Sequence, residues 1–201
     1  MIINLNDEYA RALLKGVETL KNNGVIIFPT DTVYGIGCDA RNEKLIEKIY
    51  FIKNRKGNKP FAVIMSGFDM INEWCELGKN DEKMIIKHLP GPYTFILNLK
   101  KGKTLSGQSW KVGVRVPQHA FICKLAEKFG APISATSANK SGKENAISFE
   151  EIEQSLIEAS DLSIDGGKTL FKQPSTVIDL VEKKILREGA GIISKAKLFI
   201  N

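Results

Sequence analysis

A chain of 201 residues with 43% apolar and 26% charged side chains is long enough for one well-buried domain, or at most two small ones. No apolar run approaches membrane-spanning length, and Asp7 interrupts the N-terminus before a signal-peptide core can form, so a cytoplasmic protein without a membrane anchor is expected. Cys38, Cys75 and Cys123 lie far apart with no CxxC pair and only two histidines to help, which argues against a structural zinc or a disulfide framework. The net charge of +6 and pI near 9.1 suit a protein that handles phosphates, without separating nucleotide from nucleic acid.

Ala10, Leu13, Leu14, Val17 and Leu20 recur at helical spacing behind Asp7, a candidate cap, and Asn23-Gly24 ends the pattern. Val25 to Phe28 then reads as a strand, Pro29 to Thr32 as a polar corner, and Val33 to Cys38 as a second strand. In an extended chain Val33, Gly35 and Gly37 share one face, and Tyr34, Ile36 and Cys38 the other. Glycines inside a strand mark a place where another group comes close to the backbone, either protein or ligand. Asn42 can cap a second helix with the stripe Leu45, Ile46, Ile49 and Tyr50. That helix runs out in Lys53-Asn54-Arg55-Lys56-Gly57-Asn58-Lys59-Pro60, the densest positive segment. Lys53 and Arg55 can serve one ligand only if the helix unwinds by Lys53; the plain alternative is a solvated helix end favoured by the dipole.

Phe61 to Met65 reads as a buried strand, followed by helices near 67–75 and 80–88. Pro90-Gly91-Pro92 forbids helix, and Tyr93 to Leu99 forms the next strand. In Val112 to Pro117 the valines 112, 114 and 116 share a face, leaving Gly113 and Arg115 together on the other. Such an Arg is either an anion clamp or the wet side of an edge strand. A helix over 118–129 leads to strand Ile133-Ser134-Ala135 and the polar run Thr136 to Gly142, in which Ser137 and Asn139 share a side and suit a phosphate, a ribose or a turn. Ser148-x-x-Glu151 predicts a capping box for a helix reaching Ala159. Strand Leu162 to Ile164, a Gly166-Gly167 turn and a hairpin of Ser175–Leu180 with Ile185–Arg187 follow.

Strands outnumber helices without a regular βαβ alternation, and several are joined too tightly for crossovers. The expectation is an α+β fold in a single domain over 1–201, with a twisted mixed β-sheet, flanking helices and a concave basic cavity. Two phosphate-site patterns fail: Gly102 to Ser109 has P-loop spacing with Gln108 where the lysine must stand, and Gly35-x-Gly37-x-x-Ala40 opens no helix. His88 and His119 have no nearby nucleophile or ligand partner and read as structural.

Taken in order, the stretch Pro29 to Gly35, Lys53-x-Arg55, Lys59-Pro60, Pro90-Gly91-Pro92-x-Thr94, Gly113-Val-Arg115-Val-Pro117, Ser137-Ala-Asn139-x-Ser141-Gly142, Ser175-Thr176-Val177 and Leu186-Arg187-x-Gly189 resemble the YrdC-type threonylcarbamoyl-AMP synthases. The resemblance implies condensation of L-threonine, bicarbonate or CO2 and ATP into threonylcarbamoyl-adenylate and pyrophosphate. It also implies partner proteins that pass the threonylcarbamoyl group to the adenosine beside the anticodon of tRNA, the t6A modification, with direct tRNA binding as a further prospect. By position, Lys53, Arg55, Ser137 and Asn139 match the catalytic and ATP-phosphate residues, and Asn145 and Arg187 match other nucleotide positions. Thr30, Arg115 and Ser175 match those that hold threonine. Mg2+ is expected to arrive with ATP, held mostly by phosphate and water, with no metal site of the protein's own. Glu188 stands where the family's late motif has proline, and Ile64 or Met65 where some longer members place a histidine. The extra C-terminal domain of those longer members is not expected here. Two other readings stay open: an RNA-binding module, and a relative that adenylates another carbamoyl compound.

Overall fold

The computed structural model describes residues 1–55, 60–107 and 109–193; Lys56 to Lys59 of the basic segment, Gln108 and residues 194–201 lie outside the described residues. The chain forms β1 (Ile2–Asn4), α1 (Tyr9–Lys21), β2 (Ile26–Phe28), β3 (Gly35–Gly37), α2 (Glu43–Ile52) and β4 (Ala62–Ile64). Then come α3 (Phe68–Trp74), β5 (Cys75–Glu76), α4 (Lys79–His88), β6 (Tyr93–Leu99), β7 (Lys111–Arg115), α5 (Ala120–Phe129) and β8 (Ile133–Ser137). A 3₁₀ turn (Phe149–Glu151), α6 (Gln154–Ala159), β9 (Leu162–Asp165), β10 (Thr176–Asp179) and β11 (Lys184–Arg187) complete it.

The strands join into one mixed sheet in the order β1-β9-β2-β3-β8-β4-β7-β6-β10-β11, with β5 on β6. Parallel pairs such as β4 with β7 and β6 with β10 alternate with antiparallel ones such as β2 with β3 and β6 with β7. Period-two alternation decides which helices cover which face. In β2, Ile26 and Phe28 pack with Leu20 and Leu125 of α1 and α5, whereas Ile27 packs with Ile46 and Ile49 of α2 and with Leu156 of α6. In the other half Val112, Val114 and Val116 turn toward Ile71, Trp74 and Ile85 of α3 and α4, as the valine spacing predicts. The opposite face there, with Ala62, Gly113, Thr94 and Val177, lines a cavity.

The glycine strand also resolves. A Cβ on Gly37 would stand 1.7 Å from the Ser134 carbonyl oxygen and one on Gly35 2.6 Å from the Phe28 ring. The group that comes close is therefore protein: Gly37 lets β3 nest against β8, and Gly35 makes room for the Phe28 ring of β2.

Two local expectations are corrected, and two details were not anticipated. Residues 2–4 form a strand, paired in parallel with β9, although three residues carry too little pattern to announce it. Asp7 caps nothing: α1 begins behind Glu8, whose side chain makes no capping bond. The helix near 67–75 stops at Trp74, because Cys75 and Glu76 pair with Leu99 and Asn98. The expected helix from Ser148 breaks, since Ile152 turns extended (φ −74°, ψ 127°) and is buried beside Leu156. Glu151 then accepts from the Ile147 N–H at 2.8 Å, so burying one isoleucine outweighs the capping box.

Candidate functional site

The cavity holds about 490 Å³, within the roughly 300–1,000 Å³ of small-ligand sites. Its floor is made of small or smooth side chains: Ala62 lies across from Ala135, and Gly113 across from Ile96. A Cβ on Gly113 would come 3.2 Å from Thr94 Cγ2, narrowing the floor at its centre. Around this floor stand Arg55, Lys111, Arg115 and Arg187, with hydroxyls from Thr32, Thr94, Thr136, Ser137 and Ser175. Asp179 is the one carboxylate among the lining residues, and Lys111 answers it at 3.6 Å while bonding Glu182 at 2.6 Å.

The basic segment divides its two cations. Asn42 caps α2 by accepting from the Leu45 N–H at 3.2 Å, and the helix ends at Lys53, followed by Asn54 in the left-handed region (φ 49°). The unwinding that a shared ligand requires has occurred. Yet Lys53 is only 2% exposed, and its ammonium donates to the carbonyls of Ser137 and, at 2.5 Å, of Asn139. The Lys53 carbonyl in turn accepts from the Ser141 N–H at 2.9 Å. Burial first, and the neighbouring Arg55 second, push the Lys53 ammonium down to about 8. Arg55 instead faces the cavity, lying 5.0 Å from the Phe61 ring centroid and donating to Thr136 Oγ1 at 3.3 Å. Lys53, Arg55, Ser137 and Asn139 thus meet at one corner, with Arg55 and Ser137 at the wall and Lys53 and Asn139 behind it. The Asn139 amide donates to the carbonyls of Lys140 and Lys143, and its oxygen is buried without a partner among the described residues.

Across the cavity, β7 presents Arg115. One of its terminal nitrogens, Nη2, donates to Asp31 Oδ1 and to Thr32 Oγ1, both at 2.8 Å. Thr30 stands behind. Its hydroxyl donates to the Val33 carbonyl at 2.7 Å and takes the Thr32 N–H at 3.1 Å, so the 3.1 Å contact between the two threonine hydroxyls must run from Thr32 to Thr30. That fills all three places on Thr30, whereas Thr32, which donates to Thr30 and accepts from Arg115, keeps one lone pair. Ser175 and Arg187 share a corner: Arg187 donates to the Ser175 carbonyl at 3.0 Å and to its hydroxyl at 3.1 Å, and that hydroxyl meets Thr94 Oγ1 at 2.7 Å. Asn145 lines the wall as well.

Of the nine residues singled out from the sequence, Arg55, Arg115, Ser137, Asn145, Ser175 and Arg187 line the cavity, and Lys53, Asn139 and Thr30 brace it from behind. Thr32, Thr94, Lys111 and Asp179 were missed. Thr32 and Thr94 lie inside the stretches quoted for the resemblance, and alternation with Thr30 was a signal for Thr32 alone; Asp179 lies within the strand Ser175–Leu180, and Lys111 just precedes Val112 to Pro117. Burial pushes the thiols of Cys38 and Cys75 up to about 12 and that of Cys123 to about 11, which suits inert core cysteines. Among the described residues no group of three or more His, Cys, Asp or Glu side chains could hold a metal, and no helix is long and apolar enough to cross a membrane.

Known proteins resemble this chain in sequence and fold. The family model Sua5/YciO/YrdC, described as telomere recombination, matches residues 18–189. A Methanocaldococcus jannaschii protein that carries the name threonylcarbamoyl-AMP synthase provisionally is 35% identical over 198 residues, covering 98% of this chain and 94% of its own. The threonylcarbamoyl-AMP synthase of Xanthomonas campestris pv. campestris is 32% identical over 177 residues, which is 86% of this chain and 95% of that one. The crystal structure of P. abyssi Sua5 complexed with L-threonine superposes with a TM-score of 0.86 at 31% identity, over 94% of this chain. The match spans 57% of that longer chain.

Proposed function

The chain belongs to the Sua5/YciO/YrdC family, and on that footing we propose that it is a threonylcarbamoyl-AMP synthase, a nucleotidyltransferase joining L-threonine, bicarbonate or CO2 and ATP. The observation that carries the reading is one cavity with Arg115 on one wall and Arg55 and Arg187 on others, bordered by hydroxyls. Three mutually repelling anions, a carboxylate, a carbamate and a triphosphate, need such a distribution. One unit-charge contact near 4 Å is worth roughly 4 kcal/mol at an effective dielectric of 20, so a few fixed cations outweigh any single acid or base.

In this reading the threonine carboxylate meets Arg115, with Ser175 and Thr32 beside it. The phosphates lie along Arg55, Ser137, Asn145 and Arg187. Lys53 and Asn139 hold the Ser137 to Ser141 segment in place. The amine and CO2 give a carbamate whose oxygen bonds to the α-phosphorus as the bond from that phosphorus to the bridging oxygen breaks and pyrophosphate leaves. The protein supplies alignment and charge rather than covalent help. Mg2+ enters as part of the nucleotide substrate, since among the described residues the cavity offers only Asp179 as a carboxylate and that is engaged by Lys111. The product would pass, in the cytoplasm, to proteins that build t6A on tRNA.

The test is pyrophosphate release with purified protein. Release is expected only when ATP, L-threonine and bicarbonate are present together, and Arg55→Ala should abolish most of it. Pyrophosphate appearing without threonine, or full activity in Arg55→Ala, would refute the assignment.

A further inference from the structure

The loop between β2 and β3 sets a carboxylate directly behind the guanidinium that faces the cavity. The Asp31 side chain is fully buried, against 10% exposure for that of Arg115. Both Asp31 oxygens are committed: Oδ1 accepts from Arg115 at 2.8 Å, and Oδ2 accepts from the Gln118 N–H at 3.0 Å, just before α5. Its backbone carbonyl is also fixed, by the Phe171 N–H at 2.8 Å. Asp31 is thereby tied to β7, to the entrance of α5 and to the loop after β9.

We propose that Asp31 is the positioning residue of the amino-acid subsite, holding the Arg115 guanidinium so that Nη1 is turned to the substrate carboxylate; this rests on the reading above, in which Arg115 takes that carboxylate. The two hydrogens on Nη2 are spent on Asp31 Oδ1 and Thr32 Oγ1. The one on Nε is buried without a partner, and among the described residues the Arg115 side chain donates from Nη2 and not from Nη1. A guanidinium free to turn would offer its buried Nε–H to some acceptor, because an unmade buried bond is costly. Pinning by Asp31 and Thr32 prevents this and leaves the unfilled donors in one orientation. The pair is also close to neutral from a distance, so its selectivity must lie in direction rather than in net charge.

Titration calorimetry with L-threonine and L-threoninamide, at a pH low enough that both amines are protonated, separates the outcomes. The amide keeps the side chain and amine but removes the anion that Arg115 would meet. Wild-type protein is expected to prefer threonine by about tenfold or more, the range of a hydrogen bond to a charged group. In Asp31→Asn that preference should fall to less than about threefold, with ATP affinity changed by less than about twofold. Asp31→Ser, smaller but still an acceptor, is read in the same way, and thermal melts establish that each variant is folded. A folded variant that keeps the wild-type preference overturns the role of Asp31 while leaving the Arg115 assignment standing. A wild-type protein that does not distinguish the two ligands overturns the Arg115 assignment, and with it the role of Asp31. Loss of threonine and ATP binding in equal measure marks Asp31 as a structural tie only and refutes the proposal.

Discussion

Lys53 and Arg115 are both buried cations at the edge of one cavity, 2% and 8% exposed, but the protein compensates them differently. Arg115 has a carboxylate at 2.8 Å, so burial, which lowers its proton affinity, is opposed by Asp31. Among the described residues the Lys53 ammonium donates to the carbonyls of Ser137 and Asn139, and the charge that acts on it is the like-signed Arg55. The guanidinium therefore remains charged at every ordinary pH, whereas the ammonium is pushed down to about 8. One wall is a fixed charge held by an ion pair. The other is a loop pinned by a group that titrates.

The two walls should differ most when one partner is removed from each. Arg115→Met strands Asp31, which is fully buried, and a stranded buried charge costs about 3–5 kcal/mol, or about 10 °C in Tm for a chain of this length. Adding Asp31→Leu should recover most of that loss, because a buried pair is often replaced by apolar side chains at little cost. Lys53→Met strands no opposite charge and should cost less, about 1–3 kcal/mol for two carbonyls left without donors. Denaturant unfolding of the three variants decides: equal losses for Arg115→Met and Lys53→Met would mean that Asp31 does not set the two walls apart.

A somewhat smaller effect comes from pH. The folded value for Lys53 lies below its unfolded value of 10.5, so between about 8 and 10.5 the unfolded chain binds more protons and stability rises with pH. Below about 8 the cost of keeping the buried ammonium charged is present in full. Measured against Lys53→Met, the wild type should gain about 2 kcal/mol between pH 7.5 and 9.5. Substitutions at Arg115 should leave that slope intact. A pH-independent difference between wild type and Lys53→Met would remove the titrating anchor from the account.

What the sequence disclosed of these walls follows from the range of the forces involved. Alternation along β7 placed the valines inward and Gly113 with Arg115 on the other face, because side-chain direction in a strand is local geometry. The end of α2 at Lys53 was legible only as a condition for a shared ligand, with a solvated helix end as the alternative, and the burial of Lys53 removes that alternative. Which of two neighbouring polar residues reaches the cavity was not legible. Thr30 rather than Thr32, and Lys53 together with Arg55, were assigned to ligand; the turn bond from Thr30 to Val33 and the tertiary bond from Lys53 to the Ser137 segment distinguish them. The polar partners of the site, Asp31 and Thr94, stood in the quoted stretches, but a partner is defined by what crosses to it from another strand. The capping box at Ser148 failed for the same reason: a local hydrogen bond competed with the burial of Ile152, and burial prevailed.

The smallest effect sharpens the comparison at the Arg115 wall. Thr30 and Thr32 are chemically alike and two residues apart, yet the Thr30 hydroxyl has spent its hydrogen and both lone pairs inside the loop, while Thr32 accepts from Arg115 and keeps one lone pair. A free lone pair can only accept, so Thr32 suits the nitrogen-bound hydrogen of an amino acid rather than its carboxylate. Thr32→Val keeps the shape and removes both the bond to Arg115 and that acceptor. It should raise the KM for L-threonine about fivefold, equivalent to roughly 1 kcal/mol, with the KM for ATP unchanged. Thr30→Val should instead lower Tm by about 2–4 °C, the loss of about 1 kcal/mol, and leave both KM values within about twofold. The reverse assignment, with threonine KM rising in Thr30→Val and not in Thr32→Val, would mean that the loop reorganises when substrate enters and that Arg115 is not held in advance.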